Sequence, residues 1–422
     1  MNVMLQDLAP SRAAGHPVGI SSICSAHPVV LRAALRHGAR TRATVLIEAT
    51  CNQVNHLGGY TGMTPADFAE MVYRIAAEEN CPEDLILLGG DHLGPNPWRD
   101  QDAETAMAEA EKMVAAYVEA GFRKIHLDAS MGCRGEPVAL DDHQTADRAA
   151  RLAAVAERTA SGAAGPMPLY VIGTEVPPPG GADHALEAIT PTAPDAAKTT
   201  LAVHREIFAA RGLDAALSRV IAIVVQPGVE FGNHNVIAYD PAPARPLIDV
   251  LPALDGLVFE AHSTDYQGTA PLAQLVQDGF AILKVGPELT FALREALYAL
   301  DLIASDLLPD YGARPLKVAL EALMLEKPAN WARHYGGNAA EQGVLRHYSL
   351  SDRIRYYWAE PQAQAAVAAL LEALQGQVVP LPLMWQHLPA ATAFADRPLD
   401  PEALLLWRVE EVIRSYHTAC AV

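Results

Sequence analysis

Eight short apolar runs recur along the chain, separated by longer stretches in which apolar residues return every three or four positions. The runs are PVGI (17–20), TVLIEA (44–49), LILLGG (85–90), KIHLD (124–128), LYVIGTE (169–175), VIAIVVQ (220–226), LVFEAH (257–262) and AILKV (281–285). Several are apolar on consecutive positions, which is the pattern of strands buried on both faces in a parallel sheet. The clearest helical stretch covers residues 64–79. Thr64 can cap it, Pro65 suits the first helical position and Asp67 completes a capping box, after which Phe68, Met71, Val72 and Ile75 share one face. Ala-rich segments near 101–120, 144–160 and 195–211 have the same character. Eight strands alternating with helices predict a (β/α)8 TIM barrel, in preference to a doubly wound open sheet.

Past residue 300 the texture turns Leu/Ala-rich, with aromatics at Trp331, Tyr335, Tyr348, Tyr356, Tyr357 and Trp358. The expected organisation is a barrel over 15–309 and a mainly helical C-terminal extension over 310–422, packed on it. PPPGG (177–181) reads as a turn-rich loop after the fifth strand.

Length and charge narrow the function. The chain has 422 residues, half of them hydrophobic, enough for one barrel of roughly 250 residues plus an extension. A net charge of −19 argues against nucleic acid as a partner. It also means that an anionic substrate would need locally placed cations or backbone N–H groups. The five cysteines, Cys24, Cys51, Cys81, Cys133 and Cys420, are scattered without a C-x-x-C, as expected of a reducing compartment. The N-terminal segment lacks the basic region and apolar run of a signal peptide, and no membrane-length apolar stretch is found. The expected location is cytoplasmic, with no membrane partner.

Chemistry-bearing residues gather where the strands end, which is where barrel enzymes carry their sites. The first strand leads to Cys24, Ser25 and His27, and the second gives Glu48, then Asn52 and Gln53. The third gives Asp91 and His92, the fourth Asp128 and the fifth Glu175. The sixth leads to Gln226, Asn233 and His234, the seventh to Glu260, His262 and Ser263, and the eighth to Lys284 and Glu288. A ring of carboxylates at one mouth is costly unless something offsets the charge. Imidazole and carboxylate together suit a divalent cation, zinc first, with manganese or magnesium as alternates. Histidines 16, 37, 143, 184, 204 and 334 lie in loop or helical contexts and read as surface or packing residues. GGDHLG (89–94) is not a phosphate loop, since G-x-x-x-x-G-K-[ST] is absent from the chain.

Several long phrases resemble one family. GISSICSAHPVV (19–30), VLIEATCNQVNHLGGYTGMTPADF (45–68), LLGGDHLGPNPW (87–98), GFRKIHLDASM (121–131), VFEAHSTDYQ (258–267), KVGPELTFALREAL (284–297) and HYSLSDRIRYYW (347–358) are similar to the Z-subunit family of the tagatose-1,6-bisphosphate aldolases. The resemblance implies a TIM barrel and a role in tagatose or galactitol-type sugar catabolism. It implies one of two activities: C4 epimerisation of tagatose 6-phosphate to fructose 6-phosphate, or support of a separate class II aldolase catalytic subunit without turnover. A non-phosphorylated ketose or a hexuronate is a third substrate class, and homo-oligomers are open to either activity. An older kinase label attached to the family has no ATP-binding signature here. A further likeness, to class II ketose-bisphosphate aldolases, implies roles. Asp91 would be the proton carrier and His92, His234 and His262 metal ligands, with Glu175 beside them. Asp128, Glu48 and Glu260 would be further acid–base candidates. The sugar phosphate would meet Ser25, Asn52, Gln53, Ser263, Thr264 and Lys284, with Arg353 and Arg355 reaching in from the extension.

Overall fold

The computed structural model describes residues 4–162, 165–173, 189–254 and 256–421. Eight parallel strands close into a barrel. In chain order they are β1 (Ile20–Cys24), β2 (Val45–Thr50), β3 (Ile86–Leu93), β4 (Lys124–Leu127), β5 (Leu169–Ile172), β6 (Val220–Val224), β7 (Val258–Ala261) and β8 (Phe280–Val285). Each pairs with its sequence neighbours, and β1 closes the ring on β8 with Ser22 opposite Lys284. The expected TIM barrel is therefore the fold. All eight apolar runs supply a barrel strand, although the first is displaced: its strand starts where PVGI ends.

The predicted helix is present as Pro65–Glu78. Thr64 accepts from the Asp67 N–H and the Asp67 side chain answers the Thr64 backbone, while Phe68, Val72 and Ile75 are buried. A small antiparallel hairpin, Glu230–Phe231 with Val236–Ile237, was not foreseen and follows β6. At the N-terminal end of the strands, Leu5 and Leu8 pack with Ile20, Leu46, Ala222, Val258 and Ile282, so apolar side chains fill that end of the barrel interior.

After the helix Pro287–Leu307 come the helices Pro315–Glu326, Ala339–Tyr348, Pro361–Leu374, Leu381–His387 and Pro401–Cys420. The last returns to the barrel. Arg40 pairs with Glu410 at 2.8 Å, Gly19 N–H donates to the Cys420 carbonyl at 2.9 Å, and Tyr416 Oη donates to the Thr264 carbonyl at 2.7 Å. The segment Arg353–Tyr357 hangs over the strand ends, tied down by Asp352, which meets Arg294 and Thr290 at 2.7 Å each. Among the described residues, no helix is long and apolar enough to cross a membrane.

Candidate active site at the barrel mouth

Side chains two apart on a strand share a face. On β4 this puts Lys124 and His126 together inside the barrel, and both are fully buried. Glu48 from β2 and Glu260 from β7, also fully buried, meet Lys124 Nζ at 2.6 and 2.8 Å. Burial works against the Lys124 charge, but Glu260 and Glu48 overcome it and raise its pKa above the ordinary lysine value. Burial pushes the Glu48 carboxyl up, with Lys124 opposing. Room for this triad comes from Gly89, where a Cβ would stand 2.7 Å from Glu48 Oε1. The glycines of GGDHLG thus serve packing.

One layer nearer the mouth, Asp91, His92, His126 and His262 each bring a ligand atom within 4.8 Å of the others. Consecutive residues on a regular strand face opposite sides, yet Asp91 and His92 both turn inward. A register shift between Gly90 and Leu93 and a left-handed backbone at His92, φ 50°, allow this. Such local strain is typical of functional sites.

Hydrogen bonds fix the tautomer of each ring. Asp128 Oδ2 lies 2.7 Å from His92 Nδ1, the Gly173 carbonyl 2.9 Å from His126 Nε2, and Glu260 Oε1 3.0 Å from His262 Nε2. These partners accept, so each named nitrogen carries the proton of the neutral ring. The lone pairs then reside on His92 Nε2, His126 Nδ1 and His262 Nδ1. His92 Nε2 is buried without a hydrogen-bond partner. Carboxylates and carbonyls behind imidazoles are how metal-binding histidines are oriented. The donor set therefore fits a divalent cation. His126 Nδ1 accepts from the His92 backbone N–H at 3.2 Å and lies 3.0 Å from Asp91 Oδ1, which raises the His126 pKa against the effect of burial. A metal would need this ring in its neutral form.

Burial alone would raise the Asp91 carboxyl, but His92, Lys284 and His126 outweigh it and hold it well below the ordinary range. Asp128 is depressed in the same way, burial being overcome by the His92 hydrogen bond. Lys284 is salt-bridged to Asp91 and stands 3.3 Å from Cys24 Sγ. Burial pushes that thiol up to about 12.

A cavity of about 900 Å³ opens above this layer. His92, Asp128, His262 and Lys284 lie on its wall, as do Ser25, Asn52, Gln53, Ser263 and Arg355. Arg355 lies over the Tyr356 ring at 4.6 Å and donates to its hydroxyl at 3.1 Å. Tyr356 in turn meets Tyr60 edge-on at 4.8 Å. Neither tyrosine was expected from the sequence to be a site residue. Asp91, Glu48 and Glu260 sit behind the wall.

Three expected residues are placed elsewhere. His234 is exposed on the hairpin loop and does not join the cluster, where His126 stands instead. Thr264 turns its hydroxyl to the Lys284 carbonyl at 2.7 Å and to Tyr416 at 3.1 Å, anchoring the last helix. Arg353 donates to the Asn330 carbonyl at 3.1 Å and is not on the cavity wall. Glu175 lies outside the described residues.

A relative from Agrobacterium fabrum strain C58, named D-tagatose 6-phosphate 4-epimerase, is 59% identical over 419 residues, 99% of each chain. A crystal structure of a "probable tagatose 6 phosphate kinase" from Sinorhizobium meliloti 1021 superposes with a TM-score of 0.87 at 54% identity. The match covers 95% of this chain and 100% of that one. The model of the D-tagatose-1,6-bisphosphate aldolase subunit GatZ/KbaZ-like family matches residues 5–421, and the chain belongs to that family.

Proposed function

We propose that this protein interconverts D-tagatose 6-phosphate and D-fructose 6-phosphate by inverting C4 through bond cleavage and re-formation. The observation that carries the reading is the convergence of three imidazole lone pairs and Asp91 under a cavity that also holds Arg355. Among the described residues Arg355 has no carboxylate partner, so its charge is available to a phosphate. The name of the Agrobacterium relative points the same way.

His92, His126 and His262 with Asp91 would hold the metal, zinc by its preference for imidazole, with manganese or magnesium as alternates. A bound cation supplies Lewis acidity to the C2 carbonyl and C3 hydroxyl oxygens. Asp128, the carboxylate of the group that lies on the wall, accepts the C4 hydroxyl proton. The C3–C4 bond breaks and its electron pair passes toward the C2 oxygen, leaving a three-carbon enediolate and glyceraldehyde 3-phosphate. Arg355 keeps the phosphate while the aldehyde carbon presents its other face. The bond re-forms there and Asp128 returns the proton to the C4 oxygen. Lys284, held charged by Asp91, offers that oxygen a hydrogen bond.

The test is the purified chain alone, loaded with zinc, manganese or magnesium and given tagatose 6-phosphate, with fructose 6-phosphate read by a coupled assay. Conversion that needs metal and is lost in His92→Ala is expected. No conversion with any metal, while the chain raises the activity of an added class II aldolase subunit, would replace this reading with a supporting role.

A further inference from the structure

We propose that Asp265 restricts this site to ketoses phosphorylated at C6 alone and turns away 1,6-bisphosphates. The inference rests on the reading of the site as one for a ketose 6-phosphate.

In a parallel barrel, the helix after the last strand offers a ready anion site, because its first N–H groups have no partner within the helix. Here that helix is Pro287–Leu307, and Gly286, Pro287 and Thr290 lie on the cavity wall. Every one of its leading amides is accounted for. Gly286 N–H and Glu288 N–H donate to Asp265 Oδ1 at 3.0 and 2.8 Å. Pro287 has no N–H. Leu289 and Thr290 N–H turn back to the Gly286 carbonyl at 3.1 and 3.5 Å. A phosphate arriving at this helix would find no donor.

It would also find the wrong charge. Asp265 lies on the wall and is 2% exposed. Behind it Glu288 accepts from the Tyr266 N–H at 2.7 Å. The nearby cation, Lys284, is already paired with Asp91. By contrast, Arg355 elsewhere on the wall has no carboxylate partner among the described residues. The cavity thus provides for one phosphate. A ketose 6-phosphate brings to the other place a neutral C1 hydroxyl, which donates a hydrogen bond that a carboxylate accepts. A C1 phosphate dianion has no proton to donate and repels it. One side chain therefore both recognises the hydroxyl and excludes the phosphate.

The experiment is calorimetric titration of the metal-loaded full chain with fructose 6-phosphate and with fructose 1,6-bisphosphate. The wild-type protein is expected to bind the bisphosphate about 100-fold more weakly, since like-charge juxtaposition costs that order of affinity. Asp265→Ala, which frees two amides and removes the charge, should narrow the ratio by about tenfold or more. Asp265→Asn keeps an acceptor for the amides and loses only the charge, so it should narrow the ratio less. If Asp265→Ala fails to fold by circular dichroism, Asp265→Asn decides, and an unchanged ratio overturns the proposal. Equal binding of both sugars by the wild-type chain overturns this proposal alone. Failure to bind fructose 6-phosphate at all overturns the reading of the site, and this proposal with it.

Discussion

Lys124→Met tests whether the barrel interior is held by charge. Lys124, Glu48 and Glu260 are all fully buried, with contacts of 2.6 and 2.8 Å. Methionine nearly matches the lysine in volume, so lost packing should cost under about 1.5 kcal/mol. Losing the ammonium is different. It leaves two fully buried carboxylates facing each other, and removing one partner of a buried pair costs about 3–5 kcal/mol. Because one lysine serves two glutamates, the loss should fall in the upper half of that range. That is a large part of the roughly 5–15 kcal/mol that stabilises a domain. The assay is urea unfolding followed by circular dichroism, with metal chelated so that ligation does not contribute. Adding Glu48→Gln to the variant removes one stranded charge and should recover about 2 kcal/mol, a coupling that a double-mutant cycle reads directly. A loss below about 1 kcal/mol for Lys124→Met, or no recovery in the double variant, would refute the account of the triad.

Other consequences are independent of that one. Asp128→Ala should weaken metal binding about 10- to 100-fold, because it removes the acceptor that fixes the His92 tautomer; competition with a chromogenic chelator measures it, and unchanged affinity would detach Asp128 from the metal site. Arg355→Ala should raise KM for the phosphorylated sugar by about 10- to 100-fold, the worth of a charge-assisted hydrogen bond, and an unmoved KM would place the phosphate elsewhere. Burial pushes the Glu230 carboxyl up to about 7 from an ordinary 4.5, so the folded state holds this proton more tightly than the unfolded chain. The stability tied to Glu230 is then complete below about pH 4.5 and falls as pH rises to about 7, by roughly 3 kcal/mol at about 1.4 kcal/mol per pH unit. Glu230→Gln should accordingly be more stable than the parent at pH 8 and equal to it at pH 4.5, by thermal unfolding, and a pH-independent difference would remove burial as the cause.

The fold was legible because barrel strands are buried on both faces and read as continuous apolar runs. The exceptions have physical reasons. PVGI was taken for the first strand because it is apolar, but the ring closes through Ser22, opposite Leu46 on one side and Lys284 on the other. Pairing across the closure selects Ile20–Cys24 despite its two serines. The hairpin Glu230–Phe231 with Val236–Ile237 is too short to show any period. The capping box at Thr64 was visible because its partners are three residues apart, whereas the anchoring of Thr264 by Tyr416 spans 152 positions and leaves no local mark.

The site was only partly legible, and the differences between the expected and observed placements have two origins. Attention to the strand ends singled out Asp91, His92, Asp128, Glu260 and His262, but on the fourth strand it passed over Lys124 and His126, which lie earlier on the same face. The signal was present in KIHLD, where Lys124, His126 and Asp128 alternate with apolar residues. In a strand buried on both sides, polar residues of one parity must occupy the barrel interior, and each there must find a partner or lose its solvation uncompensated. His234, by contrast, was singled out from its place after the sixth strand and given a metal role by a likeness to class II aldolases; it sits exposed on the short hairpin that follows that strand, away from the cluster. The partner rule then gives the site its direction. Lys124 is satisfied by two glutamates, and Lys284 by Asp91. Asp128, Gly173 and Glu260 each take one imidazole proton. At the top of this stack the rule fails at His92 Nε2, a buried nitrogen without a hydrogen-bond partner on a ring that lines the cavity. A buried acceptor left unmatched on the cavity wall, with His126, His262 and Asp91 bringing ligand atoms close to it, is an arrangement compatible with a divalent cation.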